Sequence, residues 1–283
     1  MLDIGLALIA SLAWGVGDFA QGTAARRFTP IAIMLCTRVG AVLLVGLGAL
    51  LFGPPALGSR WPLAIGDAFL TVGGTIALMR ALAIGPMGVA APIIAMSGAV
   101  PAVWGIFEQP PSGPALAGLA LAVAGTGLAS RSLGVSGERV DPRGVGFALL
   151  AALLIGANML VLHVAANHSP IMAVLTERST EVVIVLLALL AFRARGPGLS
   201  LPDPKGAGTL MTIGAIDAVA VTSYIAASIG PSLAAAAVLS SLYPVVTVLL
   251  ARSFHHERLS RLQIAGATLT FAGVALVALA GTG

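Results

Sequence analysis

The sequence predicts an all-α integral membrane protein, with ten transmembrane helices arranged as two inverted five-helix repeats. Three observations predict it. Of 283 residues, 58% are hydrophobic and only 9% charged, with a mean hydropathy of +1.02, whereas soluble domains carry roughly 25% charged residues. Apolar runs of bilayer-spanning length follow one another with short connections. The two halves of the chain also repeat the same landmarks in the same order.

A soluble fold of this length needs a far more charged surface than 15 basic and 11 acidic residues supply. The pI near 10.2 raises the question of nucleic acid, but the basic residues do not cluster in a patch with aromatics between them. They sit in short groups between apolar runs, as loop anchors do. The lone Cys36 lies inside an apolar run, so no intramolecular disulfide can form.

The opening "MLDIGLALIASLAWGVGDF" has no positive leading region and reads as a first spanning helix, not a cleaved signal. Runs of roughly 20 apolar residues then place the spans near 4–23, 31–52, 63–84, 87–107, 115–130, 144–166, 171–192, 206–229, 232–252 and 261–280. The longest gap, "SRSLGVSGERVDPRG", falls near the midpoint. It divides the chain into a first repeat (1–130), a cytoplasmic linker (131–143) and a second repeat (144–283).

The repeat is read from three matches. "PIAIMLCTRVGAVLLVGLGALLF" from Pro30 aligns without a gap on "PIMAVLTERSTEVVIVLLALLAF" from Pro170, which sets Arg38 over Arg178. "AIGPMGVAAPIIAMSGAVP" aligns on "SIGPSLAAAAVLSSLYP", and the segment from Glu108 on that from Glu257. Five spans per half is an odd number, so the second half enters the membrane upside down relative to the first.

Loops after the first, third, fifth, seventh and ninth spans hold eleven cations: Arg26, Arg27, Arg131, Arg139, Arg143, Arg193, Arg195, Lys205, Arg252, Arg258 and Arg261. The opposite loops hold Arg60 alone. The positive-inside rule puts the eleven in the cytoplasm and both chain ends outside, in a cell (inner or plasma) membrane.

Charges within spans cost about 2.5–3.5 kcal/mol each on insertion scales, so they point to partners or a watery cavity. Asp18 and Arg38 lie at similar depth, roughly 9 and 12 Å inside the same face. They form a candidate ion pair, with a substrate or proton site or a structural lock as its role, or snorkelling as the remaining alternative. Arg178 and Glu181 are three apart and Glu177 and Glu181 four apart, so all three share a sector of the seventh span. Arg178 can bridge Glu181, leaving one carboxylate over. That carboxylate is either a proton carrier or simply hydrated or paired, since Glu177 is only about 9 Å from the surface.

Asp217, mid-span with Tyr224 two turns on, is the strongest candidate for a central cavity; the alternative is a bond to a neighbouring Ser or Thr. Asn158, His163, Trp14 and Gln21 are weaker candidates, because a lone polar residue on an apolar helix more often bonds a facing helix. Tyr243 either lines the cavity or packs. Arg80 and Asp67, near opposite ends of the third span, are read as snorkelling to the surfaces. Gly118, Gly125, Pro92, Pro101 and Pro244 offer close helix approach and bending, though both residue types are common in membrane helices. "HHE" at 255–257 lacks further ligands for a metal site, and no Walker-type phosphate loop or hydrolase order is present.

The opening "AWGVGDFAQGTAARR", the junction "ALAIGPMGVAAPI" and the final "HHERLSRLQIAGATLTFAGVALV" resemble the EamA domains of the ten-helix drug/metabolite transporters. The likeness covers nearly the whole chain. His256 stands where that family has Gly, and "FEQPPSGP" departs further in the first half. The resemblance implies a secondary transporter or exporter of small metabolites, with its site between the halves and no assigned substrate. Its partners would be a small-molecule substrate, the lipid bilayer and in one reading protons, with no nucleic acid, as a monomer or homodimer. The reading of another class is an intramembrane enzyme or a non-transporting membrane partner. No cofactor is expected.

Overall fold

The computed structural model describes residues 2–52, 58–84, 90, 93–108, 112–130, 141–166, 169–193, 202–230, 233–255 and 261–280. Among these residues the structure is helical, without strands. The helices are α1 (Leu2–Ala24), α2 (Pro30–Phe52), α3 (Pro62–Ile84), a 3-10 turn (Ala95–Gly98), α4 (Ala99–Glu108), α5 (Gly113–Ser130), α6 (Pro142–Ala166), α7 (Pro170–Arg193), α8 (Pro204–Ser228), α9 (Leu233–Ser240), α10 (Tyr243–His255) and α11 (Arg261–Ala280).

Five of these helices begin on proline, at Pro30, Pro62, Pro142, Pro170 and Pro204. Proline's missing N–H is unused in a first turn, and its fixed φ suits helix entry. Carboxylates cap two of these starts. Asp203 accepts from Gly206 N at 3.1 Å and Asp141 from Arg143 N at 2.8 Å.

Six stretches among the described residues are long and apolar enough to cross a bilayer: α1, α2, α3, α6, α8 and Ala235–Phe254. Helix α7 has the length, at 24 residues, but carries Glu177, Arg178 and Glu181. All three are buried, whereas Val183, Leu186, Leu187 and Leu190 on the same helix are exposed. This helix turns its charges inward and its leucines outward, as lipid solvation requires.

The sequence reads the fourth and ninth spans as continuous helices, and both are broken. Among its described residues the fourth passes from helix at 93–94 through the 3-10 turn into α4, and the ninth becomes α9 and α10. The ninth breaks at Ser241-Leu242, just before Pro244, which has no N–H to continue the ladder. Ser241 N closes α9 on Ala237 O at 3.0 Å, and Val245 N reopens the chain on Leu242 O at 3.0 Å. The linker residues 131–140, the "HHE" motif from 256 onward, and Pro92 lie outside the described residues.

The principal helix contacts fall into matching sets. α1 packs on α8, α9 and α10, and α6 on α3, the 3-10 turn and α4. α2 packs on α8, and α7 on α3. α2 also meets α7, α4 meets α9, and α5 meets α11. Pairing α1 with α6, α2 with α7, α3 with α8, the 3-10 turn with α9, α4 with α10 and α5 with α11 leaves this set unchanged except for the α4–α9 contact.

Glycines let these pairs close. A methyl group at Gly40 would lie 2.7 Å from the Met211 carbonyl carbon, and one at Gly214 would lie 2.6 Å from Thr37 Cα. The α2 and α8 backbones therefore touch. At the α1–α10 contact, a methyl at Gly15 would meet Tyr243 O at 2.7 Å, and at the α6 contact one at Gly156 would meet Ser97 O at 2.6 Å. Gly48, on the same α2 helix, has nothing within 4 Å. We expect Gly40→Ala to lose about 1–3 kcal/mol by overpacking and Gly48→Ala to be neutral or slightly stabilising, as read by thermal unfolding midpoints in detergent.

Candidate functional site

The site is built where α2, α3, α6, α7 and α8 bring polar side chains into an otherwise apolar interior. Arg38 on α2 holds Glu181 through Nε, Asp217 Oδ2 through Nη1 at 2.8 Å and Thr75 Oγ1 through Nη2 at 2.9 Å. Arg178 on α7 reaches Glu181 Oε1 at 2.6 Å and Asp217 Oδ2 at 3.1 Å. Each guanidinium thus contacts both carboxylates, and each carboxylate contacts both guanidiniums. The four residues close a neutral ring, with Arg38, Arg178, Glu181 and Asp217 all buried. Low-dielectric burial of charge is tolerated only when each ion is matched and hydrogen-bonded.

Beside the ring lies a second polar group. Asn158 Nδ2 on α6 contacts Asp67 Oδ2 at 2.7 Å, Thr71 Oγ1 at 2.7 Å and Glu177 Oε1 at 3.0 Å. Thr71 on α3 lies 2.6 Å from Glu177 Oε1. Arg178 is 3.9 Å from Glu177, the outer limit of an ion pair.

A cavity of about 70 Å³ opens onto both groups. It is narrower than the roughly 300–1,000 Å³ of sites that hold drug-sized ligands. Of the residues the sequence points to, Trp14, Asp18, Gln21, Arg38, Asn158, Arg178, Asp217 and Tyr243 line it. Trp14 packs on Tyr224 at 5.6 Å and on Tyr243 at 6.2 Å between ring centroids. Tyr224 stands behind Trp14, off the lining. Glu177 and Glu181 also stand behind the wall, bonded to residues that form it. His163 pairs with Ser228 Oγ at 3.0 Å, away from the cavity.

Three expectations are corrected. Arg38 does not take Asp18 as its ion-pair partner, because Glu181 and Asp217 occupy its guanidinium; Asp18 is a separate carboxylate on the cavity wall. Glu177 is fully buried and not hydrated; of the two alternatives to a proton carrier it takes the paired one, through Thr71 and Asn158. Asp67 does not snorkel, since it is fully buried and bonded to Asn158, whereas Arg80 is exposed. Sequence reading missed Asp67, Thr71 and Thr75 as site residues. Their spacing of four places them on one face of α3, and that stripe was the available signal.

The ring's dependence on matched charges sets a ranking. Arg178→Met leaves two buried carboxylates short of a partner and should cost about 3–5 kcal/mol. Thr75→Val removes one hydrogen bond to a charged group and should cost about 1.5–3 kcal/mol. Unfolding in detergent measures both.

Comparison with known proteins agrees with this architecture. No curated protein matches the chain. A solved structure described only as "Crystal structure of protein" superposes with a TM-score of 0.75 at 18% identity, covering 98% of this chain and 96% of that one. At that identity the likeness concerns the fold. The model of the EamA-like transporter family matches residues 142–279, the second half of this multi-pass membrane chain.

Proposed function

We propose that the chain is a secondary transporter, an exporter of a small metabolite or drug, working by alternating access between two inverted five-helix halves and coupled to protons. The observation that carries this reading is the location of the cavity. It is walled by α1, α2 and α3 from one half and α6, α7 and α8 from the other, so movement of one half against the other changes its shape. In inverted-repeat transporters the site lies at such a junction, beside discontinuous helices. The breaks before α4 and α10, and the exchange of helix contacts between halves, support the inverted repeat.

The cavity wall offers guanidiniums from Arg38 and Arg178, carboxylates from Asp18 and Asp217, and the rings of Trp14 and Tyr243. That mixture suits a small polar or zwitterionic molecule with an apolar part. The family match in the second half favours transport over an enzyme. The eleven cations on one side support a cytoplasmic placement of the loops that carry them, with the termini outside, in a cell membrane. A fused pair of halves supplies its own two-fold arrangement, so a monomer suffices.

The test is flux into proteoliposomes with and without a pH gradient, screened over amino acids, sugars and cationic drugs. We expect gradient-dependent flux of at least one class. Asp18→Asn, whose carboxylate is outside the ring, should abolish that flux while the unfolding midpoint stays near wild type. No flux of any compound, or normal flux through Asp18→Asn, contradicts the reading.

A further inference from the structure

The neutral ring accounts for two carboxylates and leaves two. Asp67 and Glu177 are both fully buried, less than about 6 Å apart across Asn158, and neither has a guanidinium at hydrogen-bond distance. Asp67 Oδ1 and Glu177 Oε2 have no hydrogen-bond partner. Two adjacent buried anions of this kind are not sustained in a bilayer-spanning interior; such a group takes up a proton instead.

The hydrogen count points the same way. Asn158 Nδ2 carries two hydrogens and Thr71 Oγ1 one. These three face five contacts: Asn158 with Asp67, Thr71 and Glu177, and Thr71 with Glu177 at 2.6 Å and with Asp67 O at 3.2 Å. A proton on Glu177 Oε1 gives four hydrogens for the five contacts and leaves only the 3.0 Å Asn158–Glu177 approach unserved. Glu177 then donates to Thr71 Oγ1, Thr71 donates to the Asp67 carbonyl, and the two Asn158 hydrogens serve Asp67 Oδ2 and Thr71 Oγ1.

We propose that Glu177, Asp67, Asn158 and Thr71 form a proton-binding site in which the two carboxyl groups share one exchangeable proton. The charged groups facing it are Arg178 and Glu181 on α7, Asp217 on α8 and Arg38 on α2, all engaged in the ring, together with Asp18 on the cavity wall of α1. Asn158 and Thr71 line the cavity, so they connect the proton to the space a substrate would occupy. Opening the α3–α6 contact would admit cavity water to the two carboxyl groups, and the proton would pass to that water. As the coupling site for transport the assignment rests on the function proposed above; as a proton site it does not.

Infrared difference spectroscopy of the purified protein in lipid reads the proton through the carbonyl stretch of a neutral carboxyl group. At neutral pH the wild-type protein should show a component that is lost in Glu177→Gln and in Asp67→Asn and moves in frequency in Thr71→Val, which removes the hydroxyl it donates to. Absence of that component in wild type, or its persistence unchanged through all three variants, overturns the proposal. With a substrate from the flux screen, Glu177→Gln should keep exchange but accumulate no more against a pH gradient than empty liposomes; retained accumulation overturns the coupling role. The expected infrared pattern with no flux of any compound leaves the proton site standing and removes the transporter reading. Flux without the infrared component does the reverse.

Discussion

Two guanidiniums shared between two carboxylates in an apolar interior are the constraint on which the rest of the structure depends. Arg38, Glu181, Arg178 and Asp217 form a ring in which no charge lacks an opposite neighbour. Arg38 comes from the first half of the chain and the other three from the second, so the ring closes only when α2, α7 and α8 meet. Because a single unmatched ion in this setting costs several kcal/mol, the interface between halves is specified by charge as well as by shape. The outward face of α7 is then free to be leucine and valine, and the helix can lie against lipid while carrying three ionisable residues within five positions.

Close backbone approach makes the ring geometrically possible. Gly40 and Gly214 bring α2 and α8 into contact near Arg38 and Asp217, and Thr37, which touches Gly214, is the residue before Arg38. Where side chains are this small, helix association rests on packing and polar contacts, because lipid is as apolar as the helix surface. Such contacts can slide or rock with little loss of area. The two broken helices meet across the same junction through α4 and α9, where a methyl group at Gly98 would lie 3.2 Å from Ala237 O. The ring and the broken helices therefore border one cavity, through Arg38, Arg178 and Asp217 on the one hand and Ser97 and Tyr243 on the other.

Much of this was legible in the sequence. Apolar length placed α1, α2, α3, α5, α6, α7, α8 and α11 within two residues at either end, because the bilayer imposes a narrow range of helix lengths. The alignment of Arg38 on Arg178 found the two cations of the ring, and spacing within the seventh span gave the Arg178–Glu181 pair. What failed was depth arithmetic. Equal distance from a membrane face suggested Asp18 for Arg38, but the angular position of a helix decides its partner, and α2 turns Arg38 toward α7 and α8. Nearness to a helix end suggested hydration for Glu177 and snorkelling for Asp67, yet α3, α6 and α7 cover both. The breaks before α4 and α10 were missed because hydropathy does not register a lost N–H; Pro101 and Pro244 were the visible sign.

The central claim is that the ring couples the two halves energetically. A double-mutant cycle between Arg38→Met and Asp217→Leu, read by unfolding in detergent, tests it most directly, since the two residues are 179 positions apart and meet only through the ring. The account predicts a favourable coupling within the range of about 0.5–3 kcal/mol for contacting residues. Strict additivity of the two substitutions would contradict it.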